Sequence, residues 1–527
     1  MLILRERDAS ASRANERGKA AGLPLLVCLV GIVFWIQACS GCYCPDTQKC
    51  TLETPAPTMD GHEPPANPFL ADSPWPMSHR NPYCQASSPF PGPTGPIQQA
   101  ADFIDCMPGL ITIAFSGAYP DGSRVIWGSN QADVFKANPC PGGCYYHTRS
   151  KNNANFFDVD TALSGAYSLV DNERTFFVPF LQRIHAYGDE TPGDPLSPIV
   201  EKGAYEVPGD QLHGEDDVIV GLNMTYDGML AFATRRGTVG LVSRIFDEEY
   251  FLYLGEEDEI TNSIACDENH GIYVVTSRQM YRVQWTGTDL SIDEVDGGWA
   301  AEYEVGEGVG GLRLGPGSGA TPTLMGTGDE DKFVVITDGQ ELMHLVLFWR
   351  DEIPVDWDQI PGTRDRRIAA QVPVTFGDSG ATQSLSEQSV CVRGYGALVV
   401  NNLLKTTVNK RILAVLLSGN PSIAPYGAEK FEWDPSSREL QSVWMNQAIS
   451  LPNGIPSMSA ATGLIYDVGQ RNGIWTMEAL SWETGESVFH SIIGPDLKYN
   501  SAYAGTEVGL GGGLYTGTLA GILRVHP

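Results

Sequence analysis

The stretch that decides the fold is Gly463-Leu-Ile-Tyr-Asp-Val-Gly-Gln-Arg-Asn-Gly-Ile-Trp-Thr-Met-Glu-Ala-Leu-Ser-Trp-Glu-Thr-Gly-Glu486. Two apolar runs meet at Asn472-Gly473, the dipeptide that best fits a tight two-residue turn between antiparallel strands. The turn sequence Glu483-Thr-Gly-Glu486 then closes the second run. This stretch therefore predicts an antiparallel sheet built from consecutive hairpins.

Similar strand–turn–strand units recur along the rest of the chain. Their starting points are Leu110, Ser164, Asn223, Asn262, Thr321, Glu387, Pro456 and Asn500. Irregular all-β repeats of this size are typical of propeller blades, and a β-sandwich, the alternative, would not need eight copies of one unit. We therefore predict an all-β fold, a β-propeller of seven or eight four-stranded blades over residues 96–527.

The composition supports a folded body. The chain has 527 residues, of which 58 are glycine, 42% are hydrophobic and 19% are charged. These values exclude a largely disordered chain, a collagen and a coiled coil. The formal net charge of −30 argues against a nucleic-acid partner, because the phosphate backbone would repel such a surface.

The first 38 residues resemble a secretory signal, with several arginines before the uncharged apolar run Leu23–Ala38. The ending Ala38-Cys39 is similar to a bacterial lipobox, which implies cleavage before Cys39 and acylation of its sulfur. Ser40 would then favour the outer membrane. The alternative is an uncleaved anchor, although 16 residues are short for a span of about 20. Either way we expect an exported, membrane-attached protein at the outer membrane or periplasmic face.

Residues 39–95 form the predicted tether. Proline is frequent from residue 45 to 95, and this composition favours extended chain over a packed core. We therefore expect residues 39–95 to act as a cysteine- and proline-rich stalk that precedes the propeller.

Eight of the ten cysteines that follow the signal lie before residue 150. In an oxidising compartment this predicts disulfides in the N-terminal region, with Cys140 and Cys144 closing a small loop. A metal knuckle in the spacing Cys39-x2-Cys42-x-Cys44-x5-Cys50 is the alternative, but no partner pair follows at zinc-finger spacing.

The turns Asn472-Gly473 and Glu483–Glu486 resemble the repeat of quinoprotein-like propellers. Ser73–Arg80 and Ser88–Pro93 are similar to the segment that precedes the blades in that family. The family includes quinone dehydrogenases and many non-enzymatic members. Neither an adjacent cysteine pair nor a Cys-x-x-Cys-His haem motif occurs in this chain, so the fold resemblance does not bring the redox chemistry with it.

Several units open with a polar residue at one position. The first strand of a propeller blade lines the central channel, so these positions should converge on the axis. One carboxylate with several amide oxygens suits Ca²⁺, and lactonase-like propellers use a similar ring. Channel residues that merely bind water are the alternative. The predicted metal ligands are Glu387, Asn223, Asn262 and Asn500.

Few other residues indicate a catalytic function. The chain has no G-x-S-x-G, P-loop or H-E-x-x-H motif, and the glycine-rich stretch 308–319 is best interpreted as a loop between blades. His213 and His344 could act as acid–base groups, but an exposed or structural role is the plainer interpretation.

Three functions remain open from the sequence. The first is a binding or scaffolding module with a protein or small-molecule ligand at a propeller face. The second is a Ca²⁺-dependent, lactonase-like hydrolase, and the third is a quinone-dependent dehydrogenase. The sequence does not decide whether the protein is an enzyme.

Overall fold

The computed structural model describes residues 46–97, 101–105, 109–151, 165–306, 315–408 and 410–527. They form eight sheets arranged in chain order, each built on four antiparallel strands, and two of the sheets carry a fifth strand. The prediction of an all-β propeller is confirmed, and the number of blades is eight.

The first four blades follow the chain from residue 112 to residue 302. Their strands are, in blade 1, β3 (Thr112–Phe115), β4 (Ile126–Ser129), β5 (Asp133–Ala137) and β6 (Tyr145–Ser150); in blade 2, β7 (Leu169–Val170), β8 (Phe176–Phe180), β9 (Arg183–Asp189) and β10 (Ile199–Glu206); in blade 3, β11 (Ile219–Met224), β12 (Met229–Thr234), β13 (Thr238–Ser243) and β14 (Glu249–Tyr253); and in blade 4, β15 (Ala265–Cys266), β16 (Gly271–Val275), β17 (Gln279–Trp285) and β18 (Leu290–Ser291), with β19 (Trp299–Glu302) also on β17.

The last four blades follow in the same way, and two short strands come from the N-terminal region. Their strands are, in blade 5, β20 (Thr323–Met325), β21 (Phe333–Thr337), β22 (His344–Trp349) and β23 (Ile368–Pro373); in blade 6, β24 (Cys391–Arg393), β25 (Gly396–Val400), β26 (Ala428–Asp434) and β27 (Glu439–Asn446); in blade 7, β28 (Ser457–Ser459), β29 (Leu464–Arg471), β30 (Ile474–Ser481) and β31 (Ser487–Gly494), joined by β1 (Ser87–Ser88); and in blade 8, β32 (Thr506–Val508), β33 (Leu514–Gly517), β34 (Ile522–Val525) and β2 (Asp102–Ile104).

The hairpin between β29 and β30 lies where the sequence predicts it. Asn472 and Gly473 have φ values of 54° and 80°, as the favoured two-residue hairpin turn requires. The strands pair from Leu464↔Ser481 to Arg471↔Ile474. The resulting register buries Tyr466 against a core shared with blades 1 and 8.

The ring is closed by strands from the two ends of the described chain. The outermost strand of blade 8 is β2, which pairs with β34 through contacts such as Phe103↔Leu523. The Arg524 guanidinium donates to the Asp102 carboxylate at 2.6 Å across this pair. Closure of this kind leaves no gap between the first and last blades.

The hydrophobic core lies between blades rather than at one centre. In one cluster, Leu241 of blade 3 packs with Ile272 and Val274 of blade 4. Every blade buries its faces against its two neighbours, as expected of a unit that cannot be stable alone.

Residues 70–90, here called the inner strap, run along the inside of the ring. The strap exchanges main-chain hydrogen bonds with the first strands of the blades nearly in chain order. These bonds join Trp75 to Phe115, Ala71 to Val170, Pro82 to Cys266, Tyr83 to Leu324, Gln85 to Val392, and Ala86 to Met458.

The prediction that residues 45–95 cannot pack is wrong for the inner strap. Trp75, Tyr83 and Ala86 are buried, and Ser87 and Ser88 pair as a strand with β28. Composition misjudged this segment because its ordering comes from main-chain hydrogen bonds to the inner strands. The boundary of the tether at residue 95 stays a prediction.

The cysteines follow the prediction only in part. Cys50 is bonded to Cys140, so the small Cys140–Cys144 loop is wrong, although Cys144 is also in a disulfide. Cys84 is a buried free thiol, contrary to the expectation that the cysteines before residue 150 are oxidised. Cys39, with the rest of the predicted signal, lies outside the described residues.

The described part of the chain holds one α-helix, α1 (Arg411–Leu417), and four short 3₁₀ turns at Gly209–Gln211, Glu294–Asp296, Leu497–Tyr499 and Leu510–Gly512. Within that part, no helix has the length and apolarity needed to cross a bilayer.

Candidate functional site

A cavity of about 150 Å³, here called the axial cavity, lies where the blades meet. Its walls come from blades 1, 2, 4, 6, 7 and 8 and from the inner strap. Blades 2, 4 and 6 are not neighbours, so the only region they share is the central axis. The polar side chains of the wall are Ser78, His79, Thr112, Tyr167, Asn262, Glu387, Ser389, Tyr503 and Glu507.

Much of the wall comes from residues just before the first strand of a blade. Tyr167 lies two residues before β7, Asn262 three before β15, and Glu387 four before β24. These are positions that the repeat argument selects, because the chain enters each blade next to the axis.

Two of the four predicted ligands, Asn262 and Glu387, meet in this cavity. The Asn262 amide nitrogen donates to the Gly319 carbonyl, and the Glu387 carboxyl lies against the Cα of the same glycine. A Cβ at residue 319 would overlap that carboxyl group, so a larger residue there would displace the Glu387 carboxyl. The stretch 308–319, predicted to be a loop between blades, thus contributes its last residue to the site.

Asn223 and Asn500 do not line the axial cavity, and their side chains form hydrogen bonds with other residues. The Asn223 amide donates to the carbonyls of Pro82 at 3.1 Å and Ile264 at 2.8 Å, which fixes the inner strap. The Asn500 amide donates to the Val415 carbonyl at 2.9 Å, and its oxygen accepts from Asn453 at 2.9 Å.

The repeat alignment is out of register for these two residues. Asn223 lies inside β11, and Asn500 lies six residues before β32, so neither has the position that Asn262 has relative to β15. Among the described residues, no group of three or more His, Cys, Asp or Glu side chains could hold a metal ion. A Ca²⁺ site built from Glu387 and the three asparagines stays a prediction.

Glu507 is a site residue that the sequence argument missed. Its side chain is on β32, is only 4% exposed and faces the axial cavity. No described residue forms a hydrogen bond with its Oε2. Burial raises the pKa of Glu507 well above its ordinary value, because the ionised form loses its hydration. The missed signal is a charged residue in the short strand that opens blade 8.

Tyr503 lines the same side of the cavity. Its hydroxyl group is buried and has no hydrogen-bond partner among the described residues. Burial and the charge of Glu387 raise its pKa. A buried polar group without a partner is uncommon, and it indicates a place that a ligand or water can fill.

The inner strap supplies the facing wall. Trp75 and His79 both line the cavity, and His79 Nε2 lies 3.4 Å from the Ser389 hydroxyl. Burial lowers the pKa of His79 to about 4, so its ring is neutral at pH 7. His79 and Tyr503 have φ values of 59° and 68°, a left-handed conformation that is uncommon for non-glycine residues.

The axial cavity is acidic. Two carboxyl groups, those of Glu387 and Glu507, line it, and no lysine or arginine does so in the described part of the chain. Because Glu507 Oε2 has no hydrogen-bond partner among the described residues, its burial favours the protonated form or a partner that a ligand supplies.

The histidines that the sequence singled out lie away from this cavity. His344 Nδ1 is 2.6 Å from the Asp338 carboxylate at the start of β22. His213 stacks on Tyr253 with ring centroids 3.6 Å apart. Neither lines the axial cavity, so the structural interpretation fits both.

A second depression, of about 680 Å³, is open to solvent between residues 61–65 and blade 5. Its acidic groups are already paired. Glu63 binds Arg80 at 2.9 Å and also binds Arg393, and Glu330 lies 2.9 Å from His62. These pairs fasten the N-terminal segment to the propeller, which leaves the axial cavity as the better site.

No protein-family model matches the chain. Among solved structures, it resembles the C-terminal WD40 domain of Sif2 (7% identity, 83% of this chain, 100% of that chain, TM-score 0.46). It also resembles the computationally designed Ika8 protein (9% identity, 81% of this chain, 100% of that chain, TM-score 0.44). A third similar structure is the virginiamycin B lyase of Staphylococcus aureus (13% identity, 69% of this chain, 94% of that chain, TM-score 0.37). At such low similarity these structures carry no information about activity.

An uncharacterized protein of Archaeoglobus fulgidus is far more similar. It is 49% identical over 480 residues, which span 88% of this chain and 89% of the relative. With nearly half of the residues shared over most of both chains, this propeller belongs to the family of that A. fulgidus protein.

Proposed function

We propose that the protein is an exported, lipid-anchored binding module whose small ligand occupies the axial cavity. The observation that carries this proposal is the Glu507 side chain, which is 4% exposed, faces the cavity and has no hydrogen-bond partner for Oε2 among the described residues. Burying a polar group without a partner lowers stability unless something offsets its lost hydration. A bound ligand is the simplest reason to keep it.

Binding is favoured over catalysis by the groups that line the cavity. His79 is its one histidine among the described residues, and with a pKa of about 4 it is a weak base at pH 7. The wall also lacks a cysteine nucleophile in the described chain. The cavity is therefore suited to holding a molecule rather than to transferring its protons.

Export and lipid anchoring are supported by the N-terminal sequence and by the disulfides. Cys39 follows the apolar run 23–38, and Cys50 and Cys144 are both in disulfides. Disulfides persist in oxidising compartments. In this proposal the acyl chain on Cys39 attaches the protein to the membrane, and the propeller presents its cavity outside the cytoplasm.

A Ca²⁺-dependent, lactonase-like hydrolase is the second candidate. The observation that favours it is that Asn262 and Glu387 share the cavity with Glu507, so up to three of the needed oxygen ligands lie in one place. The quinone-dependent dehydrogenase has less support, since about 150 Å³ is below the ~300–1,000 Å³ of pockets for drug-sized ligands.

Filling the cavity tests the proposal. Gly505 lines it, and a Cβ there would meet no atom within 4 Å, so Gly505→Leu adds a side chain without a backbone clash. The matched control is Gly209→Leu, at an exposed glycine that is equally unobstructed. Each protein is incubated with a metabolite extract, desalted and denatured, and the released molecules are identified by mass spectrometry.

We expect a compound enriched on the wild type and on Gly209→Leu and absent from Gly505→Leu. The same compounds on all three proteins, or none on any, would contradict a ligand in the axial cavity.

A further inference from the structure

Most polar side chains in the wall of the axial cavity already have partners within the protein. The hydroxyl groups of Tyr167, Ser78 and Thr112 donate to oxygen atoms of the chain at 2.8, 3.2 and 3.4 Å. The Asn262 amide donates to a main-chain carbonyl, and Glu387 also has an interaction partner in the structure. These groups place no requirement on a ligand.

Glu507 and Tyr503 are the exceptions in this wall. Glu507 is 4% exposed, and its Oε2 has no hydrogen-bond partner among the described residues. The Tyr503 hydroxyl is buried and has no partner in the same part of the chain. Buried polar groups are normally paired, so a ligand in this cavity must bring partners for these two. The inference rests on the proposed function, because it identifies what the cavity binds.

Both groups are hydrogen-bond donors in the form that burial favours. Ionised Glu507 would lose its hydration, and no lysine or arginine lines the cavity in the described chain to offset that loss. Burial therefore raises the pKa of Glu507 well above its ordinary value and favours the protonated carboxyl group. Burial also raises the pKa of Tyr503, so its hydroxyl keeps its proton. Each group thus presents an O–H that needs an acceptor.

The wall does not suit a charged ligand. An anion would meet no lysine or arginine among the described residues, and His79 is neutral because burial lowers its pKa to about 4. A cation would need an ionised carboxylate without a partner. Protonated Glu507 does not supply one, and Glu387 already has a partner. The ligand that fits is therefore neutral.

Much of the remaining wall is apolar and limits the size of the ligand. Trp75, Ile111, Ile113 and Ile455 line the cavity. Its volume of about 150 Å³ is roughly that of a cavity that holds one benzene-sized ring. A small hydrocarbon skeleton matches this space, whereas a nucleotide or an oligosaccharide does not.

We infer that the axial cavity binds a small neutral carbonyl compound, a ketone or an ester, whose oxygen atoms accept hydrogen bonds from Glu507 and Tyr503 and whose hydrocarbon part packs against the apolar wall. A carbonyl oxygen has two lone pairs, so a ketone oxygen or the two oxygens of an ester can accept from both groups. A hydrocarbon without oxygen would leave both buried donors unpaired.

The test uses three ligands that share one six-membered ring and differ in charge. They are cyclohexanone, cyclohexylammonium and cyclohexanecarboxylate, and their binding to the full protein is measured by isothermal titration calorimetry at about pH 7. We expect cyclohexanone alone to bind. Gly505→Leu, which adds a side chain at the cavity wall without a backbone clash, should abolish that binding.

Three substitutions examine the two donors. Tyr503→Phe removes only the hydroxyl group and should weaken cyclohexanone binding about threefold to tenfold. Glu507→Met removes the carboxyl group and should weaken it about tenfold. Glu507→Gln should stay within about threefold of the wild type, because its amide N–H can still donate. The matched control is Glu256→Met, at an exposed glutamate, which should bind as the wild type does.

The outcomes separate this inference from the proposed function. Binding of cyclohexylammonium or cyclohexanecarboxylate in place of cyclohexanone would overturn the neutral carbonyl compound and leave a binding module. Cyclohexanone binding that neither Tyr503→Phe nor Glu507→Met weakens would overturn it as well. If none of the three ligands binds, this inference fails, whereas the proposed function fails only if the extract experiment also gives no cavity-dependent compound.

Discussion

Asp467 should make the propeller less stable as pH rises through the neutral range. This residue is on β29, its side chain is 1% exposed, and Oδ2 has no hydrogen-bond partner among the described residues. Burial, with a smaller effect of Glu478, raises the pKa of Asp467 to about 8. The carboxyl group is therefore protonated in the folded protein at pH 7.

The direction of the change in unfolding free energy with pH follows from proton uptake on folding. The unfolded chain has the ordinary aspartate pKa of about 4, so folding binds a proton between about pH 4 and pH 8. The contribution of a protonated Asp467 is full below about pH 4 and is lost as pH rises through about 8. One pKa unit corresponds to about 1.4 kcal/mol, so raising pH from about 5 to about 7.5 should lower the unfolding free energy by at most ~3 kcal/mol through this residue.

Asp467→Asn isolates this effect because the amide cannot ionise. Its oxygen can still accept the bonds that Asp467 Oδ1 receives from the Val468 amide at 2.7 Å and the Thr506 hydroxyl at 3.0 Å. Urea unfolding at the two pH values gives the free energies, with the exposed Asp496→Asn as control. Between the two pH values, the unfolding free energy of Asp467→Asn should fall by up to ~3 kcal/mol less than that of the wild type and of the control. An equal loss in all three proteins would refute a protonated Asp467.

Three further predictions follow from the anchor, the disulfide and the cavity wall. Cys39→Ser should release the protein from membranes into the soluble fraction, and unchanged retention would indicate a spanning segment instead. Replacing Cys50 and Cys140 by serine removes a cross-link over 90 residues and should lower the unfolding free energy by about 4–5 kcal/mol; a change under about 1 kcal/mol would contradict it. Gly319→Ala should displace the Glu387 carboxyl and lower the amount of the extract compound that the protein retains, with little change in Tm; unaltered retention would show that this contact does not shape the site.

The fold could be predicted because its signals are local. The turn at Asn472-Gly473 and the recurrence of strand–turn–strand units depend on neighbouring residues, and the structure confirms the propeller. The inner strap could not be predicted, because its order comes from bonds to strands far along the chain, such as Tyr83 with Leu324.

The candidate site was predicted in part for a similar reason. Residues just before an inner strand reach the axis, and Asn262 and Glu387 line one cavity there. Asn223 does not line the cavity, because a shift of a few residues in the repeat alignment places its side chain inside β11 and not at the strand entrance. Glu507 was missed because its burial depends on packing between blades, which a single repeat does not reveal.

The most direct test of the central claim is a crystal structure of the protein after incubation with the metabolite extract, beside one of Gly505→Leu treated in the same way. The account predicts density for a bound molecule beside Glu507 in the axial cavity of the wild type alone. An axial cavity that holds only water in the wild type would contradict it.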